Sequence, residues 1–87
     1  MKKENLKILI LLNNQTVISE IDEVTSELGE PDCKLTEPFT INEDGTLSPW
    51  LLDITNQNTF MISSDKILTL VEPNSKLIKK YEDVIEE

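Results

Sequence analysis

The chain opens with an unbroken apolar run. In Lys7-Ile8-Leu9-Ile10-Leu11-Leu12, Ile8, Ile10 and Leu12 point to one side and Leu9 and Leu11 to the other. A strand that is apolar on both faces suits a position covered on both sides. Asn13-Asn14-Gln15 is a turn signal, since asparagine tolerates the left-handed conformation. A second strand from Thr16 to about Val24, with Val17, Ile18 and Ile21 apolar, completes a hairpin. Thr25 to Asp32 reads as a loop with Gly29, Pro31 and several acids. The next segment alternates, with Cys33, Leu35, Phe39 and Ile41 expected on one face and Lys34, Thr36 and Thr40 on the other. Pro38 interrupts it, and a residue that cannot donate to a ladder marks an edge or a bend.

Asn42-Glu43-Asp44-Gly45 is a strong turn, because Asp-Gly adopts positive φ at little cost. Trp50, Leu52 and Ile54 are then expected to share one face of a further strand. Asn56-Gln57-Asn58 turns the chain into Phe60-Met61-Ile62, and Ser63 to Lys66 leads to a last strand, Ile67 to Val71, again apolar on both faces. After Pro73 the period changes. Leu77, Ile78, Tyr81, Val84 and Ile85 fall on one stripe of a helix, with Asn74 or Ser75 as its N-cap.

These elements predict one mostly-β domain over residues 1–87, with strands at about 6–72 and a helix at about 74–86. Five to six short strands joined by tight turns suggest a strongly bent sheet or small barrel with a C-terminal helix. A chain of 87 residues has a thin core, and small domains lean on disulfides, a metal or oligomerisation. Cys33 is the sole cysteine and histidine is absent, so an intrachain disulfide is excluded and a zinc site has no ligand set. Oligomerisation is the remaining support. The single cysteine fits a reducing compartment. With no apolar stretch long enough for a membrane span, the expected location is the cytoplasm. Seventeen acids against eight bases give a formal charge of −9. Such a chain repels a polyanion at long range, so any nucleic acid must meet a local patch unlike the average surface.

Two segments resemble the motifs of ring-forming Sm-like (LSm) proteins. Ile10 to Ile21 has the shape of an apolar strand, a polar turn and a second apolar strand, with Ser19 where that family prefers glycine. Ile62-Ser63-Ser64-Asp65-Lys66-Ile67-Leu68-Thr69-Leu70 has the spacing of the second motif, with Ser63-Ser64 in place of Arg-Gly. Pro38-Phe39, Pro49-Trp50 and Ile67-Leu68-Thr69-Leu70-Val71-Glu72-Pro73, followed by Leu77 and Tyr81, resemble a divergent Sm-like group associated with marine phages, including cyanophages. The resemblance implies an Sm-like barrel closed into a homo-oligomeric ring through edge-strand pairing. It also implies binding of single-stranded RNA, or DNA, in the host cytoplasm if the chain is phage-encoded. The residues by which Sm proteins hold a base and its phosphate are not present in their usual form. The helix is C-terminal instead of N-terminal.

On this reading Ser63, Ser64 and Lys66 occupy the pore-facing loop, where hydroxyls and an ammonium meet phosphate oxygens. The alternative is an ordinary polar turn. Trp50 is a candidate for stacking on an unpaired base, against a role in the core or a subunit contact. Lys34, beside Thr36 on a polar strand face, is the weakest candidate, since solvation accounts for it. Asp22, Glu23, Glu27, Glu30 and Asp32 lack the spacing of a calcium loop, and no metal or cofactor is expected. Catalysis lacks its usual groups: histidine is absent, Cys33 has no base nearby in sequence, and Gly29 and Gly45 alone cannot form a phosphate loop. The expectation is a non-enzymatic ring that binds RNA. The alternative is an acidic ring that binds protein.

Overall fold

The computed structural model describes residues 5–51 and 54–85. Six antiparallel strands run β1 (Leu6–Leu11), β2 (Thr16–Glu23), β3 (Cys33–Ile41), β4 (Leu47–Pro49), β5 (Thr59–Ile62) and β6 (Ile67–Val71), and the helix α1 (Ser75–Ile85) closes the chain. The order across the sheet is β4-β3-β2-β1-β6, and β5 pairs with the first half of β3 while β4 pairs with its second half. The fold is therefore mostly β with one C-terminal helix. The sheet is open: among the described residues β6 pairs only with β1, and β5 only with β3.

The β1–β2 hairpin forms where the turn signal placed it, with Asn14 at φ 68°. β3 holds the decisive irregularity. Ile18 pairs with Phe39 and Glu20 with Thr36, so Glu37 and Pro38 together oppose the single residue Ser19. This is a β-bulge, and Glu37 takes a left-handed φ of 53° in it. An extra residue reverses the side-chain alternation. Cys33 and Leu35 consequently do not share a face with Phe39 and Ile41, which corrects the expectation from simple alternation. Pro38 sits where β5 ends and β4 begins, so its missing donor interrupts neither ladder. Ser19 fills the space opposite the bulge, wholly buried, with Oγ 2.8 Å from Glu20 O and 3.0 Å from Thr36 O. A small polar residue fits here because the bulge leaves carbonyls to be satisfied.

The face reversal divides the core in two. Leu6, Ile18 and Phe39 form one cluster with Tyr81, and Ile8, Ile41, Leu47, Leu77, Ile78, Val84 and Ile85 pack around it. The helix covers this cluster. Asn74 caps it, accepting from the Leu77 backbone N–H at 2.9 Å. Tyr81 is fully buried, stacks edge-on against Phe39 at 5.8 Å and donates its hydroxyl to Glu37 O at 2.8 Å. The second cluster, on the opposite face, gathers Leu9, Leu11, Val17 and Leu35, with Ile21, Trp50, Phe60, Ile62 and Ile67 around them. Residues of β1, β2, β3, β5 and β6 meet there.

Two further expectations change. The strand carrying Trp50, Leu52 and Ile54 does not form. β4 stops at Pro49, Leu51 has φ 60°, and Ile54 N and Thr55 N both donate to Leu51 O at 3.1 Å, which is a turn. Leu52 lies outside the described residues. β6, read as apolar on both faces, is covered only at Ile67, and its Leu68, Leu70 and Val71 are exposed by 60, 49 and 40%. Of the expected helix, residues 75–85 are helical, and Glu86 lies outside the described residues. No helix among the described residues is long and apolar enough to cross a membrane.

Candidate functional site

The loop before β6 is a single 3-10 turn, Ser64–Lys66, closed by Lys66 N donating to Ser63 O at 3.0 Å. Its Ser64 is not free to meet a phosphate. Ser64 donates its backbone N–H to one Asp32 oxygen at 2.7 Å and its hydroxyl to the other at 2.8 Å. These bonds, the hydroxyl's first, hold the Asp32 carboxyl below its usual range. The turn is thus tied to a carboxylate 32 residues upstream and carries Asp65 besides. Ser63 is half-buried at the head of the turn, and Lys66 is exposed.

The Asp32–Ser64 contact lies on a trough of ≈ 700 Å³ between β6 and the ends of β2 and β3. Ile21, Cys33 and Ile67 contribute apolar surface, and Asp22, Glu23 and Asp32 line it with carboxylates. Its ammonium, Lys7, is ion-paired with Glu72. Burial, then the neighbouring Asp32 and Glu23 carboxylates, push the Cys33 thiol up, so it stays protonated and a poor nucleophile. Lys34 is exposed, opposite Asp22 of β2 and Met61 of β5, and lines neither this trough nor the second depression.

That second concavity is different in chemistry. A depression of ≈ 300 Å³ is lined by Leu11, Leu12, Asn13, Trp50, Ile62 and Lys66. It brings together two of the sequence candidates, Trp50 and Lys66, which lie sixteen positions apart. Trp50 is half-buried, packs edge to face on Phe60 at 5.4 Å and donates its indole N–H to Gln15 Oε1 at 3.2 Å. The Leu12 backbone N–H donates to Lys66 O at 3.0 Å, tying the 3-10 turn to the first hairpin turn. Among the described residues lining this depression, Lys66 carries the only charge.

No cluster of three or more cysteine, aspartate or glutamate side chains suited to a metal ion occurs among the described residues. Residues 4–86 match the family of unknown function DUF6561. The chain belongs to that family. No curated protein matches this DUF6561 member. Sequence reasoning missed the Asp32 grip on Ser64 altogether, since no local signal marks a bond across so long a loop. The one hint was an acid at the very end of that loop, next to a strand.

Proposed function

We propose that this DUF6561 protein is a non-catalytic, ring-forming binding protein of Sm-like type, whose ring takes single-stranded nucleic acid, RNA foremost. The reading is carried by the two bare strand edges. β5 (Thr59–Ile62) and β6 (Ile67–Val71) contain no charged residue, in a chain of formal charge −9. Natural proteins guard an exposed edge with charge, proline or a covering segment. Edges left neutral and apolar are suited to pairing, and β5 of one copy against β6 of the next would close a ring. Cyclic closure would pair both of these edges, leaving among the described residues only the outer edge of the three-residue β4.

A second reading, an acidic ring that binds protein, draws support from the Asp32 carboxylate on Ser64, which puts negative charge at the loop expected to meet phosphate. Light scattering at micromolar concentration tests the ring, and a mass of one subunit overturns it. Titration of labelled oligo-U and oligo-A at low and moderate salt tests the ligand. Absence of binding at low salt removes nucleic acid and leaves the protein-binding ring.

A further inference from the structure

The geometry points to the Trp50–Lys66 depression, and not the Ser63-Ser64 turn, as the subsite for one nucleotide of a single strand on each subunit. The inference rests on the nucleic-acid reading above and goes on to locate the ligand. Three observations carry it.

Charge comes first. Asp22, Glu23 and Asp32 line the larger trough, and its lysine is already paired with Glu72. A phosphate is repelled there. The depression presents Lys66 as the only charge among its described lining residues. On a surface so acidic, this is a local patch of the required sign.

Shape and chemistry come next. Leu11 and Ile62 give apolar surface, Trp50 an aromatic ring, Lys66 an ammonium, and Asn13 an amide that is bonded to Gln15 through both its Nδ2 and its Oδ1 and keeps one N–H to donate. A flat heteroaromatic base stacks on an indole, its edge hydrogen-bonds to an amide, and its phosphate meets the ammonium. At ≈ 300 Å³ the space is at the small end for ligand pockets and suits one nucleotide instead of several.

Rigidity is the third. The indole is fixed before any ligand arrives, by its N–H bond to Gln15 at 3.2 Å and its edge contact with Phe60 at 5.4 Å. The backbone from which the exposed Lys66 side chain projects is anchored through the Leu12 N–H to Lys66 O bond at 3.0 Å. A preformed site loses little freedom on binding.

Trp50 is the only tryptophan, so its emission reports on this site alone. The test titrates the full chain with labelled oligo-U and oligo-A, reading label anisotropy and Trp50 fluorescence together. Quenching of Trp50 that tracks the anisotropy is expected. Lys66→Gln, a change at an exposed side chain, is expected to weaken binding about tenfold. It should also flatten the salt dependence by about 0.7 in log–log slope for each phosphate left without its ammonium. A control, Ser63→Ala, is expected to leave both readouts unchanged. Binding without any change in Trp50 emission, or a Lys66→Gln protein with unaltered affinity and salt slope, overturns this subsite while nucleic-acid binding stands. Absence of anisotropy change at low salt overturns the parent reading and the subsite with it.

Discussion

The Tyr81 hydroxyl joins the helix to the bulge, and Tyr81→Phe isolates that link. The ring is fully buried, and its hydroxyl donates to Glu37 O at 2.8 Å, with Thr36 O at 3.3 Å. Glu37 O is the nearer of the two acceptors, so the loss falls chiefly there. Leaving a buried acceptor without its donor costs about 1–3 kcal/mol. For a domain of this size each kcal/mol moves Tm by about 4–8 °C, so a mid-range loss of about 2 kcal/mol lowers Tm by about 8–16 °C. Tyr81→Leu also forfeits the edge-on packing with Phe39 and leaves a void, for a total of about 3–5 kcal/mol. That is a large part of the stability of a small domain, and the helix should detach. Thermal unfolding followed by circular dichroism measures both. A Tyr81→Phe protein melting within about 2 °C of the parent would show that the hydroxyl is not buried against the bulge, and the account of the helix anchor would fall.

The same residue sets an alkaline limit. Burial first, then the Glu20 and Glu37 carboxylates, push the Tyr81 phenol above its ordinary value. Below about pH 10 both the folded and unfolded chains keep the proton, and stability is unaffected. Above it the unfolded chain ionises while the folded one does not, so stability falls as pH rises toward the folded value. Tyr81 is the only tyrosine, so tyrosinate absorbance should rise together with unfolding, and Tyr81→Phe should lose this component of the alkaline transition.

Asn74→Ala removes the helix cap and should cost about 1 kcal/mol, read as a Tm decrease of a few degrees with unchanged strand signal. Ser64→Ala should return the Asp32 carboxyl toward its usual range, so a carbon-detected NMR titration should show its midpoint moving up; a stationary midpoint means the contact is not formed in solution. Because that carboxyl is held low, whatever the contact adds is present above the ordinary carboxylate value and lost as pH falls through the folded one. Leu68→Lys places a charge on the bare edge of β6 and should reduce the mass in light scattering to one subunit without altering circular dichroism. Added salt should act on the two functions with opposite sign. Copies of charge −9 repel one another, so screening favours assembly, while the same salt weakens an oligonucleotide contact; assembly that loosens with salt would point to ion pairs across the interface in place of neutral strands.

Local signals made most of the fold legible. Asn13-Asn14-Gln15 between two apolar runs specified the first hairpin, and the stripe from Leu77 to Ile85 behind Asn74 specified the helix. What failed was alternation carried through an irregularity. Pro38 announced a bend but not that Glu37 would add a residue and send Phe39 to the face opposite Leu35. Period-two reasoning has no memory of an inserted residue, so every assignment beyond one is inverted. The absent strand at Trp50 has a different cause. Its apolar residues Trp50 and Ile54 do not share a strand face: Pro49 ended the ladder, Leu51 turned the chain in the left-handed region, and Ile54 is exposed.

The candidate site was legible as residue types and illegible as an arrangement. Ser63, Ser64 and Lys66 are consecutive or nearly so, which invites treating them as one unit. The fold separates them: Ser64 is bonded to Asp32 across the trough, while Lys66, two residues later on a 3-10 turn, lines the depression beside Trp50. A tight turn can do this because it rotates successive side chains to different sides within a few ångströms. The bulge bears on the same result, since the reversed alternation in β3 sends Leu35 to the Trp50 side of the sheet and Phe39 to the helix side. With the Phe39 cluster taken by Tyr81, part of the exposed apolar surface lies at β6 (Leu68, Leu70, Val71) and beside Trp50 (Leu12), the two places proposed for a neighbour and a ligand, while Leu28, Ile54 and Met61 are exposed besides.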